Sequence, residues 1–202
     1  MRKYPENLDA KHKKALSPRN ASIVAYAFSA QFKPAIRPVP FPLWEVNLRN
    51  ILGAYRWRKL RAAVIKERGL SCEVCGTRVK QSKEIKAHEA WLYTYRGKQG
   101  VATVERLSLV CWFCHSCEHF ALTQSLVAQD ILTKRALKET RAHFCKLNGC
   151  TRRQFENYYA ATMTECEELS AKKWIIDWGI FAPLIASRKA GSRITISYSV
   201  VA

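Results

Sequence analysis

Apolar residues along the chain recur with two different periods, and those periods predict its elements. From Trp44 to Arg68 the positions Leu48, Ile51, Leu52, Tyr55, Trp57, Leu60 and Val64 return every three to four residues, which makes one side of a helix apolar, and Gly69 stops it. Residues Glu84 to Tyr95 and Val101 to Val110 are rich in β-branched and aromatic types. Arg96-Gly-Lys-Gln-Gly100 between them has the glycines a hairpin loop needs, so two paired strands are expected. Helical spacing resumes from Cys114 to about Val127, and again from Ile131 to Leu147, where Asn148-Gly149 closes it. Thr151 with Gln154 has the capping-box pattern, and the helix it opens sets Phe155, Tyr158, Tyr159, Met163, Cys166 and Leu169 on one core-facing side. Trp174 and Trp178 stand one helical turn apart and are expected to dock this last part on the rest. The predicted fold class is α+β.

The two ends read differently. Residues 1–43 form a basic, proline-bearing arm that ends in Lys33-Pro34 and Pro38-Val-Pro-Phe-Pro42, where missing amide hydrogens and fixed φ prevent regular helix or sheet. Residues 187–202 begin basic and then alternate through Ile194, Ile196 and Tyr198, which fits either a basic tail or a short edge strand. Between them lie a module over 44–130 and a helical part over 131–186. No apolar run reaches the roughly 18 residues that a membrane-spanning helix needs. No signal-peptide pattern opens the chain, so an intracellular, cytoplasmic location is expected, with no membrane partner.

Charge narrows the choice of partner. Lys and Arg number 34 against 16 Asp and Glu in 202 residues, a formal net charge of +18. So one-sided a surface repels itself unless a polyanion neutralises it, and nucleic acid is the commonest such partner, ahead of an anionic membrane or an acidic protein. The polar face of the Trp44–Arg68 helix carries Arg49, Arg56, Arg58, Lys59, Arg61, Lys66 and Arg68. Arg56, Arg58, Lys59 and Arg61 are the candidates for phosphate contacts, and a solvated basic face is the equal alternative.

Four of the eight cysteines form two C-x-x-C pairs, Cys72-Glu-Val-Cys75-Gly76 and Cys111-Trp-Phe-Cys114. Each such turn presents two thiolates, and two turns complete a tetrahedral zinc site. The 35 residues between Cys75 and Cys111 are enough for a hairpin whose ends return to one place. Cys117 is a spare thiol one turn past Cys114, while Cys145, Cys150 and Cys166 are expected to pack as small apolar groups. Three histidines accompany the cysteines: His88 in the first strand, and His115 with His119 at i, i+4 on the helix that begins at Cys114. Imidazoles so placed form a plausible site for a catalytic divalent ion.

These elements come in a familiar order: Trp57-Arg-Lys-Leu-Arg61, Cys72-x-x-Cys75-Gly76, Ala87-His88-Glu89-Ala-Trp91-x-Tyr93, and Leu107-x-Leu-Val-Cys111-x-x-Cys114-His115-x-x-x-His119. Over residues 44–128 the sequence resembles the HNH, or ββα-metal, endonuclease family, and looks closest to its phage- and plasmid-borne branch with a His-Glu-x-Trp element. Leu147-Asn-Gly149 and Trp174 to Asp177 extend the likeness. The resemblance implies a small ββα-metal core with a zinc knot, surrounded by helices. It also implies a metal-dependent DNA endonuclease in which structural Zn²⁺ is held by Cys72, Cys75, Cys111 and Cys114. His88 would act as general base, with Glu89 a second candidate catalytic group, and His115 and His119 would hold Mg²⁺, Mn²⁺ or a similar ion, with His88 itself a further candidate ligand. Two positions depart from the family's pattern: Ala87 stands where an acidic residue or histidine commonly serves the metal, and Arg106 where an asparagine orients the base. They favour the alternative, a catalytically inactive zinc-stabilised module that binds nucleic acid or docks on a protein partner.

Overall fold

The computed structural model describes residues 32–189. Residues 1–31 of the expected arm and 190–202 of the expected tail lie outside the described residues. The chain enters through a short 3-10 turn, Phe41–Leu43, and then forms helix α1, Leu48–Arg68. Asn47 caps α1, accepting from the Asn50 amide, and Gly53 interrupts it at φ 77°, a backbone conformation that glycine adopts without strain. The break turns one predicted helix into a short first turn and a longer rod. Strands β1, Ile85–Arg96, and β2, Gln99–Cys111, follow as an antiparallel hairpin closed by Gly97-Lys98. Its register pairs Ile85 with Cys111 and His88 with Ser108, and it shifts between Ala90 and Trp91.

Beyond β2 the predicted Cys114–Val127 helix is two helices, α2, Trp112–Glu118, and α3, Phe120–Ala128, broken at His119. The Thr123 hydroxyl donates to the Ser116 carbonyl across that break (3.1 Å). Helix α4, Lys134–Asn148, ends on Gly149 in the left-handed region, and the Thr151–Gln154 capping box opens α5, Arg152–Ser170. Strand β3, Lys173–Asp177, then pairs in parallel with β2, so the sheet is mixed, in the order β1-β2-β3. The four-residue spacing of Trp174 and Trp178 therefore belongs to a strand and the turn after it, not to a helix. Helix α6, Ala182–Lys189, takes up the first residues of the predicted tail. The protein is α+β, with six α-helices and a three-stranded mixed sheet among the described residues. None of its described helices is long and apolar enough to cross a membrane.

Two apolar clusters hold these elements. The larger joins Leu48, Leu60 and Val64 of α1 to Ile85, Val104, Leu107 and Leu109 of the hairpin and to Trp174, Ile176 and Trp178. Trp91 meets Trp178 edge-on at 5.8 Å and Tyr93 meets Trp174 at 5.3 Å, so the tryptophans do dock the C-terminal part. The smaller cluster gathers Cys117, Phe120, Phe144, Phe155 and Tyr158 around Ile36. The end of the arm is thus part of the core. Phe32 lies 4.7 Å from the Tyr158 ring, the Tyr158 hydroxyl donates to the Ile36 carbonyl (3.2 Å), and the Lys33 amide donates to Asn148 Oδ1 (2.7 Å).

After β3 the chain turns back at Gly179, with φ 52°, where an added Cβ would sit 2.3 Å from the Val104 carbonyl oxygen. Gly179→Ala should therefore lower the unfolding free energy by about 2 kcal/mol or more, because strained φ and a backbone clash act together. Urea unfolding of the two proteins side by side measures the difference.

Candidate functional site

The four sulfurs of Cys72, Cys75, Cys111 and Cys114 lie within 4.8 Å of one another, and none of the eight cysteines is in a disulfide. Local backbone bonds explain the first pair: the Gly76 amide donates to the Cys72 carbonyl (2.9 Å) and the Cys72 amide to the Thr77 carbonyl (2.9 Å), which closes a tight turn with both side chains on its inside. The Glu73 amide reaches across to the Leu109 carbonyl (2.8 Å), tying that turn to β2. Cys111 ends β2 and N-caps α2, accepting from the Cys114 amide through its sulfur (3.5 Å). Hydrogen bonds from Cys111 and Cys114 push the Cys72 thiol far down, whereas Cys114, which donates to Cys111 and Cys72, is pushed far up. Sulfurs this close cannot all ionise by themselves, and a divalent cation resolves the conflict. Four thiolates in two such turns are the donor set of structural zinc. The cluster is a possible structural metal site.

One helical turn further along, three imidazoles meet. The ring of His88 lies 5.4 Å from that of His115 and 4.8 Å from that of His119, and the latter two are 4.8 Å apart. Burial, reinforced by the His88 charge, pulls His115 down to about 4 and His119 well below the ordinary histidine range. Both are neutral at physiological pH, the state in which imidazole binds metal. Their nitrogens do not close to the spacing of the sulfurs: among the described residues, the four cysteines are the one set of three or more ligand groups lying that close.

Sequence reasoning missed Glu118. Its carboxylate meets His88 Nδ1 in a buried contact, and apart from that contact its Oε2 has no hydrogen-bond partner among the described residues. Burial raises this carboxyl, but the His88 bond and the charges of His88 and Arg37 outweigh burial and hold it below the usual range. The signal was present in its spacing, three residues after His115 on the same helix. Arg37 was missed too; its amide donates to the Glu118 carbonyl (2.9 Å), and nothing in the arm's sequence announces that contact. A third is His143 of α4, whose Nε2 lies 3.2 Å from Cys114 Sγ while its ring stacks on Phe113.

Other candidates take different places. Glu89 is adjacent to His88 in a strand and so points to the other side of the sheet. Its Oε1 accepts from the Leu48 amide (2.7 Å) at the start of α1 and its Oε2 from the Trp91 indole (3.2 Å). Burial pushes its carboxyl up to about 7, against both of those bonds. Glu89 anchors a helix and does not face the imidazoles. Arg61 is likewise committed: its guanidinium donates to the Ser82 and Ile85 carbonyls, the latter at 2.7 Å, and holds the start of β1. Arg58 and Lys59 are exposed, with Lys59 over the Tyr55 ring, and Arg56 is half-buried. Arg106 is exposed, pairs with Glu73 (3.6 Å) and stands across from Ala90, not His88. Cys117 is buried with its sulfur on the Thr140 carbonyl, outside the four-sulfur cluster. No family model matches this sequence, and no curated protein or solved structure matches it.

Purified protein should contain about one zinc per chain, and chelation should lower Tm by about 10 °C or more, as expected for a metal that contributes several kcal/mol to a chain of this size. Elemental analysis and thermal unfolding with and without chelator measure both, and Cys114→Ser should reproduce the chelated state. Glu89→Ala should cost about 1–3 kcal/mol in urea unfolding, because it leaves the Leu48 amide and the Trp91 indole without their acceptor.

Proposed function

We propose that the protein is a metal-dependent endonuclease of the HNH kind that hydrolyses DNA phosphodiester bonds, nicking included. One observation carries this reading: a hairpin histidine, His88, lies beside His115 and His119 of the helical segment that begins at the second cysteine pair, with the four sulfurs clipping hairpin to helix. His88 would take a proton from the attacking water at its Nε2. The oxygen of that water then bonds to phosphorus, the bond from phosphorus to the leaving sugar oxygen breaks, and that oxygen is protonated from solvent. His115 and His119 would hold a divalent ion, which supplies charge neutralisation at the scissile phosphate. Neutral imidazoles suit Mn²⁺ or a softer first-row ion better than Mg²⁺.

Binding would rest on charge. The exposed Arg58 and Lys59, and the net charge of +18, supply contacts to the phosphate backbone without reading sequence. A reduced four-thiolate site belongs to a reducing compartment, so a cytoplasmic site of action accompanies this reading. A second reading, a zinc-stabilised module that binds nucleic acid or an acidic protein without cutting, is favoured by the depth of the cluster: His88 is only 9% exposed. Ala87 and Arg106 point the same way.

With supercoiled plasmid and Mn²⁺, the protein should yield nicked circles, and His88→Ala or His115→Ala should slow that conversion by about a hundredfold or more. Salt-sensitive plasmid binding without strand breaks, unchanged by either substitution, selects the binding module instead.

A further inference from the structure

A general base at the end of a hairpin needs its ring held in one orientation and one tautomer. Neutral imidazole carries its proton on either nitrogen, and only the bare nitrogen accepts another. Strand residues across the hairpin do not meet this need: Ser108 is opposite His88, and Arg106, two residues earlier on β2, is exposed and turned to Glu73. From the helix side, the Glu118 carboxylate reaches His88 Nδ1. Glu118 is itself 5% exposed, and its backbone carbonyl is pinned by the Arg37 amide.

We propose that Glu118 is the positioning residue of His88, accepting its Nδ1–H so that the bare Nε2 is the nitrogen left for a proton from water. The inference rests on the reading of His88 as a base. In this arrangement the orienting group comes from the helix after the second cysteine pair, and the arm segment around Arg37 supports it from behind. Carboxylates perform this task for imidazoles elsewhere by fixing tautomer and ring angle together.

Long-range nitrogen–proton correlation spectra of the zinc-loaded full chain, labelled at histidine nitrogen and assigned with His88→Ala, read the tautomer directly. Wild-type His88 should show a protonated Nδ1 and a bare Nε2. Glu118→Leu, checked for unchanged zinc content, should lose that preference, and its plasmid nicking should fall by about a hundredfold, the scale of a misplaced general base. A wild-type His88 with its proton on Nε2, or an Nδ1–H form that persists in Glu118→Leu, overturns the proposal. Because the wild-type spectrum needs no activity and no variant, it tests the inference even where Glu118→Leu does not fold. Absence of nicking by a wild type with the expected tautomer counts against the endonuclease reading alone.

Discussion

Everything near the candidate site depends on four sulfurs meeting in one place. The tight turn at Cys72–Cys75 has little core of its own, the hairpin ends at Cys111, and α2 is only two turns long. Each is marginal alone, because short helices and isolated hairpins are barely stable in water. Convergence of their thiols makes the three one unit, and a cation there removes the mutual repulsion that otherwise opposes it. His88 and His115 then hold their relation to each other because β1 and α2 are both fixed to the same point.

Helix α2 also joins the two apolar clusters. Cys114 belongs to the cluster built on α1 and the sheet, and Cys117, three residues on, to the one built on α4, α5 and the arm. Partial burial there, with neighbouring charge, accounts for the downward shifts of His115 and His119.

Much of this was legible in the sequence where the controlling interactions are local. Cysteine spacing announced the two turns, β-branched runs around Arg96–Gly100 announced the hairpin, and Thr151 with Gln154 announced the start of a helix. Long-range pairing was not legible. Lys173-Trp-Ile-Ile-Asp177 is too short to declare itself a strand, and only its parallel partner β2 decides the matter. Prolines between Lys33 and Pro42 do keep out α-helix, but they do not rule out burial, and Pro34 and Ile36 are deep in the core. Basic residues on α1 looked alike, yet the Arg61 guanidinium is spent on two carbonyls. Nor does a strand sequence say what Glu89 touches, although alternation along β1 already separates it from His88.

The register of the hairpin has a consequence for how the chain assembles. Cys75 and Cys111 are far apart in sequence, and bringing such distant points together ordinarily carries an entropic penalty that rises with the length between them. Because Ile85 is directly opposite Cys111, zipping the hairpin from its Gly97-Lys98 turn shortens the effective loop to the few residues between Cys75 and Ile85. Nearest-neighbour steps thus deliver the Cys111 sulfur, with Cys114 close behind it on α2, to the first cysteine turn without a long search.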